Sequence, residues 1–153
     1  MTDIVPAHVR SRMMAGIKGK NTKPELLIRS GLHRLGFRFR LHGGDLPGRP
    51  DLVLPRRHAV IFVNGCFWHG HDCGLFRLPG TRTQFWKDKI GANRERDLRS
   101  IQALQDGQWR TATVWECALR GPGQIGTEAV LKRLSSWLKS SRARADVRGR
   151  NAE

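Results

Sequence analysis

The densest run of chemically competent side chains is Gly65-Cys66-Phe67-Trp68-His69-Gly70-His71-Asp72-Cys73. Cys66, His71 and Cys73 are soft or borderline metal ligands within eight residues, and Cys117 is the remaining cysteine. A closed tetrahedral zinc site takes four such ligands, so these four are a candidate structural zinc centre. His69 is an alternative to His71, because the single Gly70 between them keeps both from pointing the same way. Three unrelated reduced thiols in a core are the plainer reading. Against it, the chain has no other cysteine, and the loop has no hydrophobic period to hold it. The odd count also argues against a disulfide framework.

The second site is Gly48-Arg49-Pro50-Asp51 at the entry to a strand. A carboxylate placed there can hold Mg²⁺ against a scissile phosphate, an arrangement similar to metal-dependent nuclease cores. Such cores carry Glu-x-Lys on the adjacent strand, and Phe62-Val63-Asn64 supplies neither group. Taken alone, Pro-Asp also reads as an ordinary turn. Glu25 is a capping residue or a group behind the metal. Asp97, in Arg94-Glu95-Arg96-Asp97, reads by itself as part of a surface salt-bridge lattice. His8, His33, His42 and His58 are isolated and receive no role. Phe67 and Trp68 on a metal-braced loop would form a wedge able to enter a base stack; core burial is the competing reading for Trp68 and Trp86. Trp109, Trp115 and Trp137 sit on regular elements and are expected in the core.

These groups need a scaffold. Thr22-Lys23-Pro24-Glu25 has the capping-box form, and Leu27, Ile28, Leu32 and Leu35 follow as an apolar helix face that Gly36 ends. Phe37, Phe39 and Leu41 alternate with arginines as a strand. Asp51–Leu54 and Ala59–Val63 read as a hairpin around Pro55-Arg56-Arg57-His58. A helix is expected from Thr83, with Leu98, Ile101 and Leu104 on its later face and Gly91 as a possible break. Trp109–Trp115 is a strand. Thr127 caps a last helix carrying Val130, Leu131, Leu134, Trp137 and Leu138. The order predicts an α/β domain, a small sheet covered by helices.

The 153 residues suit one domain. The formal net charge is +15, which implies a polyanionic partner, nucleic acid before an anionic membrane. The apolar runs are far below the ~20 residues that span a bilayer, and Met1–Arg10 lacks the apolar stretch of an export signal. A cytoplasmic protein is therefore expected. The expected division is a basic arm at 1–20, a domain at 21–140 and a disordered basic tail at 141–153.

Several blocks together are specific. Leu46-Pro47-Gly48-Arg49-Pro50-Asp51, Gly65-Cys66-Phe67-Trp68-His69, Thr81-Arg82-Thr83 with Phe85-Trp86, and Val114-Trp115-Glu116-Cys117-Ala118-Leu119-Arg120-Gly121 resemble the very short patch repair (Vsr) DNA mismatch endonucleases. The resemblance runs from about Arg10 to Leu138. It implies a restriction-endonuclease-like core, a structural Zn²⁺ and Mg²⁺-dependent nicking 5′ to the T of a T:G mismatch left by 5-methylcytosine deamination. It implies Asp51 as the Mg²⁺ carboxylate and Val63 as a backbone-carbonyl ligand. His69 would act on the attacking water or the phosphate, with Glu25 and Asp97 around the metal-bound waters. Cys66, His71, Cys73 and Cys117 would hold zinc. Phe67, Trp68 and Trp86 would form the wedge, and Met14 a minor-groove insertion. Val63 and Asn64 stand where the family pattern carries Thr and His. The implied partners are double-stranded DNA and downstream repair proteins, with the enzyme a monomer. A restriction endonuclease on matched sites shares Asp51 and the charge but needs no metal-braced wedge. A non-catalytic zinc DNA-binding module gives no reason for Asp51, His69 and Glu25 together.

Overall fold

A computed structural model describes residues 22–150 of the chain. Met14 and the basic arm at 1–20 lie outside the described residues. Helix α1 (Lys23–Arg34) starts where expected: the Thr22 hydroxyl accepts from the Glu25 N–H at 3.4 Å. It ends in a Schellman motif, with Gly36 at φ +94°. The Gly36 N–H donates to the His33 carbonyl and the Phe37 N–H to the Leu32 carbonyl, both at 3.0 Å. The buried stripe is Glu25, Ile28, Gly31 and Leu32. Leu27 and Leu35, expected on this face, are exposed. The helix packs closely along the narrow Gly31 line, where a Cβ would meet Leu131 Cδ1 at 2.2 Å.

Five strands form one mixed sheet in the order β1 (Arg40–Leu41), β2 (Leu52–Leu54), β3 (Ala59–Asn64), β4 (Arg110–Trp115) and β5 (Arg144–Val147). The first two pairings are antiparallel and the last two parallel. The expected strand at residues 37–41 is reduced to two residues, because Phe37 is drawn into the core as the cap contact of α1. The hairpin forms as expected, with a 3₁₀ turn at Pro55–Arg57.

Alternation along the strands sorts the core into two faces. Leu52, Leu54, Ala59, Ile61, Ala112 and Val114 meet α1 and α4 (Thr127–Leu138), whose Trp137 is fully buried. Val53 and Val60 face α2 (Thr83–Asp106) through Leu104. Gly91 does not divide α2, which runs unbroken for 24 residues. Leu98 is 62% exposed, so the expected later face is carried by Leu104 alone of the fully buried residues, with Ile90 a few turns earlier. Gly126, at φ +90°, is the N-cap of α4, one residue before Thr127. A short helix α3 (Glu116–Leu119) follows β4 directly. Trp109 and Trp115 are half-buried rather than core.

The tail expected to be disordered at 141–153 is corrected by β5. Its residues are polar, but the open edge of β4 supplies backbone partners that local composition does not reveal. Thr111 pairs Arg144, and Val114 pairs Val147, which is buried. Among the described residues no helix is long and apolar enough to cross a membrane. A chain ending at Ala143 should therefore melt on the order of 10 °C lower, the equivalent of about 3 kcal/mol. An unchanged calorimetric melt would show that β5 adds nothing to the fold.

Candidate active site

The C-terminal ends of β2's partner strand β3, the start of α1 and the middle of α2 enclose a cleft of about 1610 Å³. Asp51 sits at its floor. Its Oδ2 accepts from the Val63 N–H at 2.6 Å. The β2–β3 register, Leu52 with Ile61, places Pro50 opposite Val63. The Pro50 carbonyl accepts from the Gly43 N–H at 2.9 Å, and a side-chain carboxylate serves the Val63 N–H in place of a backbone acceptor. The N–H and C=O of one strand residue point to the same side. The Val63 carbonyl is thus directed to the Asp51 side of the strand.

Glu25 reaches the same corner because the helical period of α1 carries it inside with Ile28 and Leu32; it is 1% exposed. His42 Nδ1 lies 3.7 Å from Glu25 Oε1, and Arg29 is 3.8 Å from Oε2. The ligand atoms of Glu25, His42 and Asp51 all lie within 4.8 Å of one another. Burial, with Glu25 adding to it and the Val63 N–H working against both, raises the Asp51 carboxyl to about 7. Two carboxylates and an imidazole crowded in this way suit a divalent cation.

Across the cleft, His69 Nδ1 is hydrogen-bonded to Asp97 Oδ2. This removes Asp97 from the expected surface lattice. Gly70, at φ +58°, separates the two histidines. A Cβ there would sit 2.6 Å from Ile90, so the close passage over α2 requires glycine. The turn sends His69 to Asp97 and His71 to the cysteines.

Cys66, His71, Cys73 and Cys117 converge with all ligand atoms within 4.8 Å of one another, a group that could hold a metal ion. Cys66 Sγ and Cys117 Sγ lie 3.6 Å and 3.5 Å from His71 Nδ1. Metal–sulfur bonds of about 2.3 Å and metal–nitrogen bonds of about 2.0 Å give tetrahedral edges of roughly 3.5 Å. The Cys117 N–H donates to Cys66 Sγ and the Gly149 N–H to Cys117 Sγ, both at 3.3 Å. Burial pushes the Cys66 and Cys117 thiols up and holds His71 below the usual imidazole range. The His71 ring stacks on Trp115 at 3.9 Å. Arg148 fixes Asp72 at 2.6 Å, and Asp72 Oδ1 is 3.6 Å from His71 Nε2.

Phe67, Trp68 and Trp86 form a half-buried aromatic group outside both core clusters. The Phe67 ring is 5.2 Å from Trp68 and 5.4 Å from Trp86, and the two indoles are 5.8 Å apart. Asn93 Nδ2 donates to the Trp68 carbonyl at 2.9 Å. Phe85 packs on Trp86 and is 44% exposed.

The model of the family DNA mismatch endonuclease Vsr matches residues 2–75. The chain is 45% identical over 147 residues to the DNA mismatch endonuclease Vsr of Escherichia coli, covering 96% of this chain and 94% of the relative. The chain belongs to the Vsr family of DNA mismatch endonucleases. It is also 50% identical to the Type II nicking enzyme V.XorIIP of Xanthomonas oryzae pv. oryzae, over 82% of this chain and 92% of that one. A Neisseria meningitidis nicking enzyme, V.NmeAIP, is 42% identical over 78% of this chain and 86% of its own.

A Vsr enzyme's mixed, restriction-endonuclease-like sheet thus brings Glu25, Asp51 and Val63 to one wall and His69 and Asp97 to the other. The four Cys/His residues gather behind the aromatic loop. Sequence reasoning missed His42, which only the β1–β2 pairing brings to Asp51. It missed Glu116 as well, whose Oε1 accepts from the Cys66 N–H at 3.2 Å. The Glu116-Cys117 adjacency was the one signal for it. Purified protein should carry about one metal equivalent in the Cys/His cluster. Cys117→Ser should lose it together with much of the folded population, as metal binding couples to folding. Elemental analysis and circular dichroism read both, and a metal-free wild-type protein of full stability would remove the site.

Proposed function

We propose that this enzyme nicks one strand of double-stranded DNA 5′ to the T of a T:G mismatch arising from 5-methylcytosine deamination. In this reading it acts as a cytoplasmic monomer and hands the nick to downstream repair proteins. The reading is carried by one observation: the Asp51 carboxylate and the Val63 backbone share a strand end opposite a His69–Asp97 pair. Asp51 and the Val63 carbonyl would hold Mg²⁺, with Glu25 beside them. Bound there, the cation would lower the pKa of a water and neutralise charge on the phosphate.

Asp97 accepts from His69 Nδ1–H and so fixes the tautomer that leaves Nε2 as the acceptor. His69 Nε2 takes a proton as the water oxygen bonds to phosphorus and the 3′ oxygen leaves. Zn²⁺ fits the Cys/His cluster by ligand type and edge length. It would brace the loop that presents Phe67 and Trp68. These rings, with Trp86, would enter the stack at the mispair, where unstacking is least costly. That feature favours mismatched DNA over a matched restriction site.

On a T:G duplex with its T:A control, nicking should require Mg²⁺ and should vanish in Asp51→Ala while mismatch binding persists. Cleavage retained by that variant would misplace the nuclease site. Trp68→Ala should lower T:G preference about tenfold, since base–aromatic stacking is worth about 1–3 kcal/mol. Its melt should fall by less than the roughly 3–5 kcal/mol that truncating a core aromatic costs. A large stability loss with unchanged preference would refute the wedge.

A further inference from the structure

Two histidines line the cleft among the described residues. His69 is committed to Asp97, and His42 faces the carboxylates. The β1–β2 register pairs Arg40 with Val53 and Leu41 with Leu52, so its next step sets His42 opposite Asp51. The His42 N–H donates to the Asp51 carbonyl at 2.9 Å. The imidazole and the Asp51 carboxylate face one corner, their ligand atoms within 4.8 Å of each other. His42 takes a left-handed backbone, φ +54°, uncommon for a residue with a side chain. The turn directs Nδ1 toward Glu25 Oε1 at 3.7 Å.

We propose that His42 is a direct ligand of the catalytic cation beside Asp51 and the Val63 carbonyl, adding one nitrogen donor to an otherwise oxygen-lined centre that Glu25 borders. This rests on the reading of Asp51 as the cation's carboxylate. Around an octahedral cation with bonds of about 2.1 Å, ligand atoms lie roughly 3 Å apart when adjacent and roughly 4.2 Å apart when opposite. The 3.7 Å between His42 Nδ1 and Glu25 Oε1 falls between these limits. The three ligand atoms, all within 4.8 Å of one another, need little movement to close on one ion. Mg²⁺ prefers oxygen donors, whereas imidazole favours the later first-row ions. A nitrogen ligand therefore sets metal preference. A histidine that only pairs with Glu25 would affect all cations alike.

The test uses the full chain with zinc in its Cys/His cluster, titrated separately with Co²⁺ and Mg²⁺ by calorimetry. His42→Asn tolerates the left-handed backbone and replaces the nitrogen with an amide oxygen; a melt confirms that it is folded. Its Co²⁺ affinity should fall at least about tenfold while Mg²⁺ affinity changes less than about threefold. A paramagnetically shifted imidazole N–H signal in the Co²⁺-loaded parent should disappear in the variant. Equal weakening of both ions would overturn the proposal, leaving His42 as a partner of Glu25 only. Unchanged binding of both in His42→Asn, with both lost in Asp51→Ala, would also overturn it while leaving the active-site reading intact. If Asp51→Ala bound both ions as the parent does, that reading would fail and the ligand assignment with it.

Discussion

Two carboxylates crowd one corner of the cleft, and much of the molecule is arranged around that crowding. Glu25 is inside because its helix buries every third or fourth residue. Asp51 is held inside by the Val63 N–H, which donates to its carboxylate at 2.6 Å while the Pro50 carbonyl accepts from Gly43. Neither placement is negotiable without moving α1 or the hairpin. With the Asp51 carboxyl raised from 3.8 to about 7, the cation-free fold holds a proton that the unfolded chain releases earlier. This group's contribution to stability therefore declines as pH rises between those values. A bound cation reverses that sign, because it favours the ionised form. In the proposed mechanism, positive charge placed at Asp51 would offset the burial and the Glu25 repulsion that raise this pKa.

The Cys/His cluster solves a different problem. Its side chains come from the loop after β3 and from the first turn of α3, and a donor to the Cys117 sulfur comes from the segment after β5. Three stretches far apart in sequence meet at one point directly behind the cleft. Trp115, stacked on His71, also donates its Nε1–H to Asp146 at 2.8 Å. Glu116 ties the Cys66 N–H to Arg120 through a 2.6 Å ion pair. A loop with no hydrophobic period is therefore held by the convergence of its Cys/His side chains and by hydrogen bonds and ion pairs, and the same loop sets His69 on Asp97.

The parts legible in the sequence were those written in local chemistry. Thr22, Gly36 and the hairpin around Pro55 carry their own cap and turn signals, and the four residues that could hold a metal are rare residue types. What stayed hidden depends on tertiary pairing. Arg144–Val147 looks solvated until the bare edge of β4 is known. His42 looks isolated until the β1–β2 register sets it against Asp51. Leu98 follows the helical period yet stays in water, because α2 touches the sheet over a short length. Gly70 showed that His69 and His71 must diverge, but which one joined the cysteines was settled by α2 passing close beneath it.

Charge and aromaticity act in the cleft on different terms. Lys23, Arg49, Lys89, Arg96 and Arg120 line it around the acidic centre, so a phosphate backbone meets cations before it meets carboxylates. Attraction of that kind is independent of sequence and is screened by salt. In the proposed mechanism the aromatic group would contribute stacking, which salt hardly touches and which depends on whether the bases opposite it are easily parted. On that reading, affinity for DNA in general and selectivity for a mispair would rest on separate side chains governed by separate forces. A basic surface alone would hold any duplex near the acidic corner. In the proposed mechanism, the rings of Phe67, Trp68 and Trp86 decide which duplex opens far enough for its phosphate to reach Asp51.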